Sequence, residues 1–162
     1  MSLFFLILVQ FAALAYALVG GVFMAFSDFI MRSLARTSGT GGVEAMQTIN
    51  REVFRWVFMA LFLGLAPLSL VIAAYALITV PGTSGTVLAA AGFLYFIGCF
   101  GVTVGFNVPL NERLAKMDVA DGATSAFWTQ TYVPRWSFWN TVRGSACVVS
   151  AALILLALPG LV

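Results

Sequence analysis

Long apolar stretches alternate with short polar ones along this chain. Residues 1–27, 56–111 and 144–162 contain no charged side chain, whereas all charges fall within residues 28–55 and 112–143. The middle stretch is too long for one spanning helix, which needs roughly 20 apolar residues, and residues 81–85 (PGTSG) interrupt it with turn formers. The pattern therefore predicts four spanning helices, near residues 3–30, 55–80, 86–108 and 136–160.

The composition places this chain in a membrane. Of its 162 residues, 62% are hydrophobic and 9% are charged, whereas soluble domains carry about 25% charged residues. The apolar N-terminal run lacks a positive n-region and continues to Phe26, so we expect a retained span rather than a signal peptide. We predict an all-α, integral membrane four-helix bundle that forms a single membrane domain over residues 1–162.

The positive charges share one face of this predicted bundle. With four spans, the first and third connections emerge on the same side, and every Lys and Arg lies there or at the adjoining helix ends: Arg32, Arg36, Arg51, Arg55, Arg113, Lys116, Arg135 and Arg143. The positive-inside rule then makes this face cytoplasmic, with both termini outside the cytoplasm in a cell (inner) membrane.

The two polar connections contain short helical patterns. In the first, hydrophobic residues recur at helical spacing from Val43 onward, so we expect a helix that continues into the second span. In the third, Pro109 is suited to a helix start, so residues 110–117 are expected to form a short separate helix. Residues 118–125 are expected to form a loop.

Small residues recur at helical spacing in every span. The first span has Ala13, Ala17, Gly21 and Ala25, and the third has Gly98, Gly101 and Gly105. Small residues let helices approach closely in lipid. They predict tight packing within one chain or, through the same motif, a homodimer.

The sequence offers few metal or redox ligands. It contains no histidine and only two cysteines, Cys99 and Cys147, both inside apolar runs. The usual zinc and copper sites and a His-ligated haem are thereby disfavoured. We expect inert thiols and no cofactor.

Asp28 and Arg143 are the ionisable residues closest to membrane depth. A charge there is costly unless paired or solvated, which makes each residue a candidate for function. We expect Asp28 to pair with Arg143 or Arg55; a structural ion pair or a snorkelling arginine are the alternatives. The four tryptophans, at positions 56, 128, 136 and 139, lie at this same face, as an interfacial belt or as the lining of an aromatic pocket.

Three sequence features resemble the anthrone oxygenase-like family of four-helix membrane proteins. They are the string FNVPLNERL after the third span, the segment AMQTIN before the second, and the series W-x3-Y-x3-W-x3-N-x2-R that ends at Arg143. The resemblance covers nearly the whole chain. It implies, for some members, a cofactor-free monooxygenase that converts an anthrone or a similar hydrophobic aromatic substrate to a quinone with molecular oxygen.

The resemblance and the charge map together nominate site residues. Such a reaction needs a base, donors to an oxyanion and a dry aromatic pocket. The catalytic candidates are Asp28 as base, with Asn111 and Arg143 as donors. The substrate-binding candidates are Gln47, Asn50, Trp128, Tyr132, Trp136, Trp139 and Asn140.

Two other function classes compete with this enzyme. A non-catalytic subunit or scaffold would pack within a larger membrane complex through the small-residue faces. A carrier or channel is disfavoured because no chain of acids or bases crosses the uncharged spans. The expected partners are membrane lipids, a hydrophobic aromatic substrate, and either further copies of this chain or a larger membrane complex. Nucleic acid is not expected as a partner, because the sequence has no basic stripe.

Overall fold

Four long helices and one short helix make up the part of the protein that the structure describes. The computed structural model describes residues 2–55 and 57–161. The helices are α1 (Leu3–Ala35), α2 (Gly41–Glu52), α3 (Val57–Thr79), α4 (Gly82–Ala115) and α5 (Gly122–Gly160). Helices α1, α3, α4 and α5 are long and apolar enough to cross a membrane, and no strand occurs in the described ranges. The predicted helical membrane bundle is confirmed.

Helices α4 and α5 extend further into the polar connections than the sequence predicts. Residues 110–117 do not form a separate helix, because α4 continues through Pro109 to Ala115. Its π-helical segments, Tyr95–Gly101 and Thr103–Asn107, precede that proline. A π-helical turn shifts the bonded carbonyl by one residue, so the helix accommodates a residue that lacks an N–H.

The helix starts also differ from the predicted turns. The α3–α4 turn is confined to residues 80 and 81, because α4 already begins at Gly82. Residues 122–125 are helical rather than loop, because the Asp121 carboxylate accepts the Ala123 N–H at 2.9 Å and caps the start of α5. Helix α1 likewise runs past residue 30 to Ala35.

Helix α2 is separate from α3 and folds across the charged face. The predicted continuation into α3 is wrong, because residues 53–55 form a turn in which the Arg55 N–H donates to the Glu52 carbonyl. Gln47 on α2 donates to the carbonyls of Leu114 (2.9 Å) and Met117 (3.1 Å) at the end of α4. The first and third connections therefore lie together on one face, as the charge pattern predicts.

Glycines set the contact between α1 and α5. A Cβ on Gly20 would lie 3.0 Å from Cβ of Cys147, and one on Gly144 would lie 3.2 Å from Cβ of Phe23. The predicted stripe through Ala17 and Gly21 is not this contact face, since both residues are exposed. Residues spaced four apart do not stay on one face of a helix with 3.6 residues per turn. The face of α1 that points into the bundle carries larger side chains, such as the buried Tyr16, which stacks on Tyr95.

Candidate active site

A cavity of about 600 Å³ lies beneath α2, among all four spanning helices at the charged face. We call it the central cavity. Its volume is within the range of about 300–1,000 Å³ that is typical of small-molecule pockets. Its wall is mostly apolar, and its aromatic members are Phe23, Phe26, Phe54, Phe58, Phe62, Phe100 and Trp136. A flat hydrophobic molecule matches this lining.

Arg143 is a buried cation at the wall of the central cavity. The residue is only 6% exposed. Its Nε and Nη2 donate to the Asn140 Oδ1 at 3.1 and 2.8 Å, and its Nη1 donates to the Thr103 Oγ1 at 3.2 Å. The guanidinium carbon also lies 3.9 Å from the ring centre of Phe23 and 5.2 Å from that of Trp136. Neutral groups alone hold this charge.

The expected ion pair between Asp28 and Arg143 does not form. Within the described residues, the one ion pair closer than 4 Å joins Arg55 to Glu52 on the protein surface. Asp28 is exposed and lines a different cavity, on the outer side of α1. The expected pairing of Asp28 with Arg55 is also absent, because Arg55 pairs with Glu52 instead. Arg143 therefore has no carboxylate partner in the described chain.

Asn111 is held in a defined orientation at the same cavity. Its Oδ1 accepts one hydrogen bond from the Tyr132 hydroxyl and one from the Trp136 Nε1, both at 2.8 Å. The indole N–H can only donate, so the atom facing it must be the amide oxygen. The amide nitrogen carries two N–H donors and makes no hydrogen bond within the described residues, and Asn111 is one of the residues that line the central cavity.

The two polar predictions on α2 also line this cavity. Asn50 Nδ2 donates to the Tyr132 hydroxyl over a long 3.4 Å. Gln47 lines the cavity too, but its amide nitrogen is engaged by the carbonyls at the end of α4. Gln47 therefore fastens α2 over the cavity, whereas Asn50 joins the Tyr132 network.

Most of the predicted aromatic residues support the site from behind. Trp128, Tyr132 and Trp136 stack in series along α5, with ring centres 5.3 and 6.3 Å apart. Of these three, Trp136 alone lines the central cavity. Trp139 stacks on Phe106 at 3.7 Å and does not line the cavity. Trp56 lies outside the described residues.

Asn140 is fully buried behind Arg143. Besides accepting from the guanidinium, it donates through Nδ2 to the Phe23 carbonyl at 2.7 Å and to the Ser27 Oγ at 2.8 Å. It does not line the central cavity. Asn140 thus ties the orientation of Arg143 to the backbone of α1.

Three further residues that line the central cavity were not expected from the sequence: Phe23, Thr103 and Glu112. Phe23 and Thr103 carry no distinguishing signal, because they are ordinary members of apolar spans. Glu112 did carry a sequence signal, because it directly follows Asn111 in the string FNVPLNERL that resembles the family. It is the one Asp or Glu that lines the central cavity within the described chain. The described residues contain no group of three or more His, Cys, Asp or Glu side chains that could hold a metal ion.

The fold and this cavity define a small multi-pass membrane protein with an aromatic pocket and a buried arginine at one membrane face. Residues 51–153 match the family described as anthrone oxygenase. This match covers more than half of the chain, which therefore belongs to the anthrone oxygenase family, as the sequence resemblance indicates. The matched region includes Asn111, Glu112, Trp136 and Arg143, whereas Phe23 and Gln47 lie before it. Comparisons with curated proteins and with solved structures gave no match.

Proposed function

We propose that this protein is a cofactor-independent monooxygenase of a flat, hydrophobic anthrone-like or quinol-like substrate. One observation carries the proposal: Arg143 faces a 600 Å³ aromatic cavity without a carboxylate partner in the described chain. A buried charge is costly unless it is compensated. An anionic oxygen on a bound substrate would supply that compensation.

Arg143 and Asn111 are the proposed donors to this oxygen. The guanidinium has five N–H groups, and three of them are engaged by Asn140 and Thr103. We propose that the remaining two N–H groups of Arg143 and the amide nitrogen of Asn111 donate to a ligand in the cavity. Donors that are fixed before the reaction stabilise developing negative charge, and removing one typically slows catalysis by about 10²–10³-fold.

Glu112 replaces Asp28 as the proposed base, because it lines the central cavity and Asp28 does not. Its carboxylate accepts a proton from the methylene carbon of the anthrone, and the electron pair becomes an enolate whose oxygen binds Arg143. The enolate gives one electron to oxygen, and the resulting substrate radical and superoxide combine to form a C–O bond. The peroxide is protonated. It then loses the second methylene proton as its O–O bond breaks, yielding the quinone carbonyl and water.

The substrate is proposed to enter sideways from the bilayer. Leu63 and Val104 line the central cavity and are 52% exposed each, and Phe54 is 69% exposed. Leu63 lies on α3, Phe54 lies just before α3, and Val104 lies on α4; we propose that these exposed apolar side chains form an opening toward lipid. A hydrophobic substrate dissolved in the membrane reaches the cavity through such an opening without crossing water. The positive-inside rule supports the proposal that this face is cytoplasmic and both termini are not.

Oxygen consumption tests the function directly. Purified protein in detergent should accelerate oxygen uptake with a hydroxylated anthrone above the spontaneous rate. With ¹⁸O₂, one labelled atom should appear in the quinone and the other in water. A rate equal to that of buffer and detergent, over a set of anthrones and quinols, would contradict the proposal.

A scaffold role is the second candidate. Gly21, Gly64 and Gly105 have no neighbouring atom within 4 Å of a built Cβ, so these small-residue surfaces are free to pack on another membrane protein. A partner that co-purifies in fixed stoichiometry, together with no oxygen uptake, would favour this role over the enzyme.

A further inference from the structure

A second cavity, of about 750 Å³, lies on the outer side of α1 and α5 and plays no part in the site described above. We call it the side groove and define it by Asp28, Arg32, Thr141, Ser145, Val148 and Val149. Asp28 belongs to the π-helical segment Phe26–Ile30 of α1. Such segments are rare and are frequently found at functional sites.

The side groove changes from polar to apolar along its length. Helices α1 and α5 are antiparallel, since Gly20 approaches Cys147 whereas Ser27 bonds Asn140 and Thr141. Asp28 and Arg32 therefore share one end of the groove with Thr141. Val148 and Val149 lie at the other end. A polar end and an apolar end are what an amphiphile requires.

The polar end lies at headgroup depth. At a rise of about 1.5 Å per residue, Asp28 is about 37 Å along α1 from Leu3. The hydrocarbon core of a bilayer is about 30 Å thick. With Leu3 placed at the opposite edge of this core, Asp28 and Arg32 lie beyond the core on the charged face, whereas the valines of the groove lie within it.

The polar end carries both signs of charge. Asp28 and Arg32 are one helical turn apart, and neither forms an ion pair within 4 Å in the described chain. An arginine is suited to a phosphate, and a carboxylate accepts hydrogen bonds from an ammonium that carries N–H groups. A headgroup with a phosphodiester and a primary ammonium satisfies both residues at once.

We propose that the side groove binds one phospholipid of the phosphatidylethanolamine class. Its phosphate contacts Arg32, its ammonium contacts Asp28, and one of its two acyl chains lies over Val148 and Val149. Phosphatidylcholine offers the same phosphate but no N–H donor to Asp28. Phosphatidylglycerol is negatively charged and has no ammonium group, so it offers no cation to Asp28.

Lipid titration of the delipidated full-length protein, followed by native mass spectrometry, tests this assignment. Lipids with identical acyl chains should bind in the order ethanolamine before choline and glycerol. The preference for ethanolamine over choline should be roughly two- to fivefold, the range of one solvent-accessible ion pair. Asp28→Asn should remove that preference, and Arg32→Gln should weaken both lipids alike.

Arg36→Gln is the matched control, because Arg36 is exposed at the end of α1 and does not line the side groove. It should leave the lipid order unchanged. Equal binding of all three lipids, or an ethanolamine preference that survives Asp28→Asn, would overturn the proposal. So would a Ser145→Cys variant that forms a disulfide-linked dimer in lipid, because a second chain would then occupy the groove.

Discussion

Replacing Arg143 by methionine removes the buried charge while keeping a long apolar side chain in its place. The change deletes two hydrogen bonds to the Asn140 Oδ1 and one to the Thr103 Oγ1. Leaving the Asn140 oxygen without a donor costs about 1–3 kcal/mol. Removing an uncompensated buried cation offsets part of this cost. The free energy of unfolding should therefore change by no more than about 2 kcal/mol.

The effect on catalysis should be larger than the effect on folding. If Arg143 holds the substrate oxyanion, Arg143→Met should lower the rate of oxygen uptake by about 10²–10³-fold. Arg143→Lys keeps the charge but offers three N–H donors in place of five, so its rate should lie between those of the wild type and the methionine variant.

Oxygen uptake and thermal unfolding, measured in the same detergent, separate the two effects. Arg135→Met is the matched control, because Arg135 is exposed on the same helix and does not line the central cavity. It should keep the wild-type rate. A folded Arg143→Met protein with an undiminished rate would refute the assignment of the oxyanion to this arginine.

Four further substitutions test the site and its cover. Asn111→Leu should slow oxygen uptake about 10²-fold by removing a fixed donor, and an unchanged rate would exclude that role. Glu112→Gln should slow proton removal, with a hydrogen isotope effect on the methylene carbon of the substrate, whereas Glu52→Gln on α2 should not. Gly42→Ala should displace α2 and lower the melting temperature, because its Cβ would overlap the Leu34 carbonyl oxygen; a wild-type melting curve would contradict that packing. Asn140→Asp should lower the uptake rate although Arg143 remains, because the new carboxylate neutralises it; full activity would show that the free charge is not needed.

The number of spans and the shared polar face were predictable because both follow from where charges are absent. Two charged clusters separated by an uncharged stretch of about two helix lengths fix an even number of crossings. The bond between Gln47 and the carbonyls at the end of α4 confirms that the two clusters meet. Helix continuity was not predictable in the same way. Pro109 marks a helix start as readily as a continuing helix, and the preceding π-helical turns, which decide between them, have no sequence pattern of their own.

The orientation of α1 explains why Asp28 does not pair with Arg143 as expected. Phe23 and Asp28 lie on different sides of α1, because Asp28 lines the side groove on the outer side of the helix. Phe23 instead faces Arg143 and lines the central cavity. Nothing in the sequence specifies which side of α1 faces inward, because apolar residues surround the whole helix. Arg143 was easier to single out as a candidate, because a charged residue within an apolar span is costly unless it is paired or solvated.

The neutral surroundings of Arg143 connect packing to chemistry. Asn140 could have been a carboxylate by size, and a carboxylate would have paired with the guanidinium and neutralised the cavity wall. The amide instead gives both lone pairs of its oxygen to Arg143, and its nitrogen donates to the Phe23 carbonyl and the Ser27 hydroxyl. An ionised aspartate cannot donate to the Phe23 carbonyl, so the close contact of α1 with α5 favours the amide. The same contact therefore orients the arginine and leaves its charge available to an anionic substrate oxygen.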